Sequence, residues 1–315
     1  MRHSFGLILL AAAVLPAADT DFNGRWNIEV VNESRRRAWW LEVSGAGTAN
    51  LKGRFVGAPG GDMNDIPEMS IRNGELTFVF VRTYRGEKGT KQRGIYRARL
   101  NKGRLDGSFA VEGVPETALK WIGRRAPVIR DKDDGSWKKQ APVDLFNGRD
   151  LSGWLPMIPG RPLGWTVKDA ILMNQPKANN LISENKFWNF DLHAEVRLAA
   201  KTNGGIGLRG RYEVQILEDY GATPNTHTNG ALYSRIAPAF NPSKPAGQWQ
   251  TYDIRLVGRQ VTVIINGKKI IDKGEIEGLT AMAHDWNEAV PGPISLQGDH
   301  GAVEFRKLAV TPLVQ

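Results

Sequence analysis

The stretch "LRGRYEVQILEDYG", Leu208 to Gly221, decides how the chain is read. From Arg209 onward the even positions Tyr212, Val214 and Ile216 are apolar, and the odd positions Arg209, Arg211, Glu213 and Gln215 are polar. Side chains two apart on a strand share a face, so this is the pattern of a strand with one buried side. Gly210 is the weak point. A break there shifts the parity and moves Arg209 off the row, which leaves Arg211, Glu213 and Gln215 as its secure members. Alternation alone is satisfied by an outer strand showing water its polar side. The composition says more, because arginine donors, an amide and one carboxylate can bind sugar hydroxyls.

The same strand-and-turn rhythm runs outward in both directions. Downstream lie "NFDLHAEVRLA", "QTYDIRLVG", "QVTVIINGKKIID", "GPISLQG" and "AVEFRKLAVTPL". Asn266-Gly267 is the residue pair of a type I′ hairpin turn, and Gly258-Arg259 reads as another turn. Regularly spaced antiparallel strands from residue 143 to 315 predict a two-sheet sandwich. Its loops at 156–162, 219–228, 238–247 and 277–291 are long, and sites are usually built on such loops. Upstream, residues 19–125 alternate short strands with turns at Asn73-Gly74 and Asn101-Lys102-Gly103, which predicts a small antiparallel barrel or sandwich. No cluster of titratable groups stands out there, so this segment is expected to be an accessory domain. Residues 126–142, with prolines and adjacent charges, have the composition of a linker.

Residues 1–18 combine a basic start, an apolar run and small residues at Ala17 and Ala18, the features of a secretory signal peptide. The expectation is an exported protein, periplasmic or extracellular, without a transmembrane segment. Cysteine is absent from all 315 residues, which excludes disulfides and thiolate chemistry. The formal net charge is +9, and residues 19–125 hold 19 Lys and Arg against 13 Asp and Glu. The cluster Arg35, Arg36 and Arg37 lacks any nucleic-acid motif and reads as solvated surface, with a polyanion contact as the alternative. No nucleic-acid partner is expected.

The C-terminal part resembles the 3-keto-disaccharide hydrolase family, which is associated with 3-keto-glucoside lyase and 3-keto-2-hydroxy-glucal hydratase activities. The resemblance rests on "DLFNGRDLSGW" (144–154), "NGGIGLRGRYEVQILEDYG" (203–221), "GALYSRIAPAFNPSKPAGQWQTYDI" (230–254), "VTVIINGKKI" (261–270) and "GPISLQGDHGAVEFRKLAVTPL" (292–313). It implies a concanavalin A-like jelly-roll sandwich whose concave sheet presents saccharide to a groove, with "RYEVQIL" on that sheet. It implies as substrate an oxidised (3-keto) glucoside or disaccharide. The residues from 19 to 125 lie outside it.

A ketone at C3 acidifies the C2 hydrogen, so a base can remove it, the C1 substituent departs, and water can add to the resulting enone. Such a site needs a base, an acid near the glycosidic oxygen, and donors for the enolate. Within the matching blocks Glu213 is the candidate base and His300 the candidate acid or second base. Arg209 or Arg211 is the candidate enolate partner, and Gln215, Asp219, Tyr233, Asn241, Lys244 and Gln297 are candidate hydroxyl ligands. The bland alternatives stand beside these. His300 next to Asp299 is equally suited to a turn hydrogen bond, Tyr233 and Trp249 to the sandwich core, and Trp154 to core or cap. His193 fits a surface role, and His227 and His284 sit in loops without ligand spacing. No HExxH-type signature appears, which leaves room only for a weaker divalent ion held by carboxylates and substrate oxygens. A glycosidase of the usual kind needs two facing carboxylates, and Gln215 stands where a second acid would be. The rival readings are a lectin-like binding module using the same pocket, and an envelope protein acting through its basic front segment.

Overall fold

The computed structural model describes residues 18–31, 33, 36–84 and 90–315. The signal-peptide expectation, all but Ala18, and Arg35 of the basic cluster lie outside the described residues. The described residues are almost entirely β, as the sequence predicts, with one short 3-10 turn among them at Asp19–Phe22.

Among the described residues, the first nine strands form one antiparallel sheet from Gly24 to Arg125. In sheet order its two ends are the strands Asn64–Asp65 and Glu68–Arg72, which are neighbours in the chain. The sheet therefore curls until its edges meet, as a small barrel does. Inside are Trp26, Trp39, Phe55, Phe78, Tyr96 and Phe109, and the rings of Tyr96 and Phe109 lie 4.6 Å apart. The Asn73-Gly74 turn has φ of 52° and 68°, the left-handed conformation that a tight hairpin demands.

The C-terminal part is a jelly-roll-like sandwich of two curved sheets. The larger is built around Val303–Val314, Phe190–Leu198 and Trp249–Val257. The smaller has the order Trp154–Pro156, Leu181–Phe187, Gly292–Leu296, Asn203–Leu208, Tyr212–Leu217. Between the sheets Tyr212, Val214 and Ile216 meet Tyr252, Ile254 and Leu256 in a dry core. Trp154 belongs to that core and donates its indole N–H to the Leu145 carbonyl at 2.7 Å. Trp249 does not. It lies on the outer face of the large sheet, between the guanidinium groups of Arg197 and Arg306 at 4.8 and 4.6 Å from its ring. Asn266-Gly267 and Gly258-Arg259 turn their hairpins where expected.

The segment of linker composition is pinned along the sandwich. Asp131 accepts from Trp188 and Asn189, Asp133 pairs with Arg255, and Lys138–Lys139 adds to the edge of Val303–Val314. The barrel and the sandwich share packing as well. Ala38, Trp40 and Val56 from the barrel join the sandwich core, the Ala38 N–H donates to the Ala283 carbonyl at 2.9 Å, and Asn27 donates to the buried Glu288 at 2.7 Å. Among the described residues no helix is long and apolar enough to cross a membrane.

Candidate active site

The opening stretch is not one strand. Leu208 ends one strand and Tyr212 begins the next, with Arg209 and Gly210 both left-handed (φ 54° and 67°) and the Arg211 N–H closing the turn on the Leu208 carbonyl. Gly210 makes this break, and with it Arg209 and Arg211 leave the row. Both are fully buried. Arg209 donates to the carbonyls of Trp188 and Gly258 and to Asn189, and its cation lies over the Trp188 ring at 4.1 Å. Arg211 donates to the Val290 carbonyl and pairs with Asp285 at 2.6 Å. As substrate ligands they are corrected to framework residues, because the turn carries their side chains away from the cavity described below.

What remains of the row, Glu213 and Gln215, faces a cavity of about 640 Å³. Neither side chain is wet. The loop after Glu275 covers this edge, with the Thr280 hydroxyl accepting the Glu213 N–H at 2.9 Å. The segment 230–233 covers the other side by bonding the backbone of Gln215 and the carbonyl of Glu213. Both residues are thereby buried, each 3% exposed. On the neighbouring strand Gly205 and Gly207 stand opposite Gln215 and Glu213 and supply the space these side chains need.

Tyr233, Gln297 and His300 line the same cavity, so the structure gathers Glu213, Gln215, Tyr233, Gln297 and His300. It does not gather Asp219, Asn241 or Lys244. Asp219 and Asn241 bond each other and Ser243 in a loop-closing network, and Lys244 donates to the Trp249 carbonyl. These three are corrected to loop scaffolding, since their polar atoms are consumed locally. His193 pairs with Asp253 on the outer face of the large sheet, and His227 with Asp62 of the barrel. His284 packs against Gly210, and burial pushes its pKa down to about 4. Sequence reasoning missed Met157, Asn180 and Asn203, which also line the cavity. It also missed the barrel side, where Arg36, Arg37, Trp39, Tyr84 and Phe109 contribute. The one signal available was the alternation of Gly205 and Gly207 with Ile206 and Leu208, a strand that withholds side chains from one face.

Burial pushes the Glu213 carboxyl up to about 8, with His300 drawing it back and Asp299 adding to the rise. It therefore holds its proton at neutral pH. The His300 imidazole is hydrogen-bonded through Nδ1 to Asp299 at 2.8 Å, and the Asn180 side-chain oxygen accepts the N–H groups of Gly298 and Asp299, which fixes the loop carrying the pair. Burial also holds the Tyr233 hydroxyl up to about 12, so it is a neutral donor. Two buried acceptors, Gln215 Oε1 and Gln297 Oε1, have no partner among the described residues. A hydroxyl-rich ligand supplies the donors they lack. Among the described residues no group of three or more His, Asp or Glu is placed to hold a metal ion.

Comparison with known families adds one decisive match. The family model of the 3-keto-alpha-glucoside-1,2-lyase-like domain aligns with residues 141–311. The chain belongs to that family. The 3-keto-alpha-glucoside-1,2-lyase-like domain thus holds Glu213, Gln215, Tyr233, Gln297 and His300, whereas the barrel wall of the cavity lies outside the matched region. Membership marks the protein as carbohydrate-active. Among solved structures, a candidate glycosyl hydrolase from Parabacteroides distasonis is 25% identical with a TM-score of 0.48, covering 59% of this chain and 92% of its own. A second from the same organism is 19% identical with a TM-score of 0.44, covering 56% and 100%. The kappa-carrageenase of Pseudoalteromonas carrageenovora is 10% identical with a TM-score of 0.36, covering 60% and 99%. A search of curated proteins finds no match.

Proposed function

We propose that this protein is an exported enzyme that releases the C1 substituent of 3-keto-glucosides by elimination and hydrates the enone that results. The observation that carries this reading is that one buried, protonated carboxyl, Glu213, and one carboxylate-supported imidazole, His300, face a single cavity containing unpartnered amide oxygens. Burial exchanges the roles expected from sequence. His300 takes the C2 proton, and the electron pair restores the C3 ketone as the C1=C2 bond forms. The Glu213 proton goes to the departing glycosidic oxygen. The Tyr233 hydroxyl donates to the enolate oxygen in between. In the return half, the Glu213 carboxylate accepts a proton from the water that adds at C1, and protonated His300 returns the proton to C2. The sum is hydrolysis with one carboxyl, consistent with Gln215 standing where a second acid would otherwise be.

Leaving-group dependence tests the assignment. Glu213→Gln should lower turnover of methyl 3-keto-glucoside by about 10²-fold or more, and that of the 4-nitrophenyl analogue, whose leaving group needs no proton, far less. His300→Ala should abolish both, together with exchange of the C2 hydrogen in deuterated water. Equal loss on both substrates in Glu213→Gln would return the base to Glu213. Absence of turnover by the wild type, alongside glucoside binding, would establish the lectin-like reading instead.

A further inference from the structure

The cavity has two chemically different halves. The sandwich half carries Glu213, Gln215, Tyr233, Gln297 and His300, with the two unpartnered amide oxygens among them. The barrel half is lined by Trp39, Val56, Tyr84, Tyr96, Phe109 and Leu119. Three of its polar side chains are already engaged. Arg37 and Glu33 pair with each other, and the Thr117 hydroxyl donates to the Val114 carbonyl and accepts the Val111 N–H. Arg36 and Glu116 stand exposed at the rim. A volume of about 640 Å³ lies within the roughly 300–1,000 Å³ of sites that enclose a drug-sized ligand, more than one sugar ring fills.

The barrel wall is held in place against the other half. Beyond the Ala38–Ala283 and Asn27–Glu288 bonds, the Met63 N–H donates to the Ser234 hydroxyl at 2.9 Å, one residue from Tyr233. The two halves therefore present a fixed, amphiphilic outline. A second sugar in the barrel half would bury most of its hydroxyls against rings and aliphatic side chains, with only the Tyr84 and Tyr96 hydroxyls among those six residues placed as partners, which is unfavourable. A flat apolar ring would bury its faces there at no such cost.

We propose that the mouth of the N-terminal barrel is the leaving-group subsite and takes an aromatic aglycone, so that the favoured substrates are aryl glucosides. This rests on the reading above in placing the glucosyl unit in the sandwich half. The test uses the full chain and calorimetric titration with unoxidised ligands, 2-naphthyl glucoside in both anomers, methyl glucoside and a glucose disaccharide, so that binding is read without turnover. The naphthyl compound should bind at least about tenfold more tightly than either of the others. Leu119→Asp or Tyr84→Ala, checked for retained melting temperature, should remove that preference while leaving methyl glucoside affinity unchanged. Equal affinities, tighter binding of the disaccharide, absence of naphthyl binding, or a preference that survives in both folded variants would each overturn the proposal. Naphthyl preference without turnover of any 3-keto-glucoside would instead refute the proposed chemistry and leave the subsite standing.

Discussion

Gly205 and Glu213 lie on adjacent strands so close together that a Cβ on Gly205 would stand 2.6 Å from Glu213 Oε1. The backbone at Gly205 has no left-handed angle, so alanine is tolerated by the strand itself. Its methyl group instead displaces the carboxyl. Gly205→Ala should fold, with an unchanged far-ultraviolet spectrum, and lose about tenfold or more in kcat/KM, because a displaced acid no longer meets the leaving oxygen. Full activity in this variant would mean that the position of Glu213 does not matter.

The raised carboxyl has a consequence for stability with a definite sign. Glu213 rises from an ordinary 4.5 to about 8 on folding, so the folded state binds the proton more tightly. Its contribution is most favourable below pH 4.5 and is lost as pH rises through 8. Glu213→Gln, which cannot ionise, should match the wild-type melting temperature near pH 4 and exceed it increasingly from pH 6 to 9. The same proton should appear in kinetics as a fall of kcat/KM above about pH 8. A rising limb there would contradict the acid role.

The all-β fold was legible because alternation, Asn-Gly turns and segment lengths are local properties, and Asn73-Gly74 and Asn266-Gly267 each formed the turn their residues require. Glu213 and His300, singled out within the family blocks, line one cavity. Arg209 and Arg211 were misplaced because two consecutive left-handed residues turned a continuous alternation into a hairpin. Asp219, Asn241 and Lys244 were misplaced because a polar loop residue looks alike whether it serves a ligand or its own loop. The barrel's share of the cavity left no local trace, since Trp39, Tyr96 and Phe109 belong to the barrel core as well as to the cavity wall.

Arg209 makes three hydrogen bonds in a fully buried position, and desolvation lowers its pKa to about 10. Truncation leaves the Trp188 and Gly258 carbonyls without their donor. Arg209→Ala should lower stability by about 3–5 kcal/mol, measured by denaturant unfolding. At a temperature where the variant is folded, KM for a methyl 3-keto-glucoside should be near the wild-type value. A selective rise in KM would return Arg209 to the substrate.

Trp40 belongs to a barrel strand yet packs in the sandwich core, with Gly278 beneath it, where a Cβ would stand 2.2 Å from its indole nitrogen. The guanidinium group of Arg235 lies 5.5 Å from its ring. Nearby, Glu288 binds Asn27 of the barrel together with Arg259 and Tyr212 of the sandwich, all with little or no exposure. Packing of this kind cannot be lost on one side alone, so barrel and sandwich should unfold in a single calorimetric transition. Trp40→Ala should lower stability by about 3–5 kcal/mol and shift that transition as a whole. Two separate transitions in the wild type would show that the barrel is an independent unit, and the fixed wall required of the aromatic subsite would then lose its physical basis.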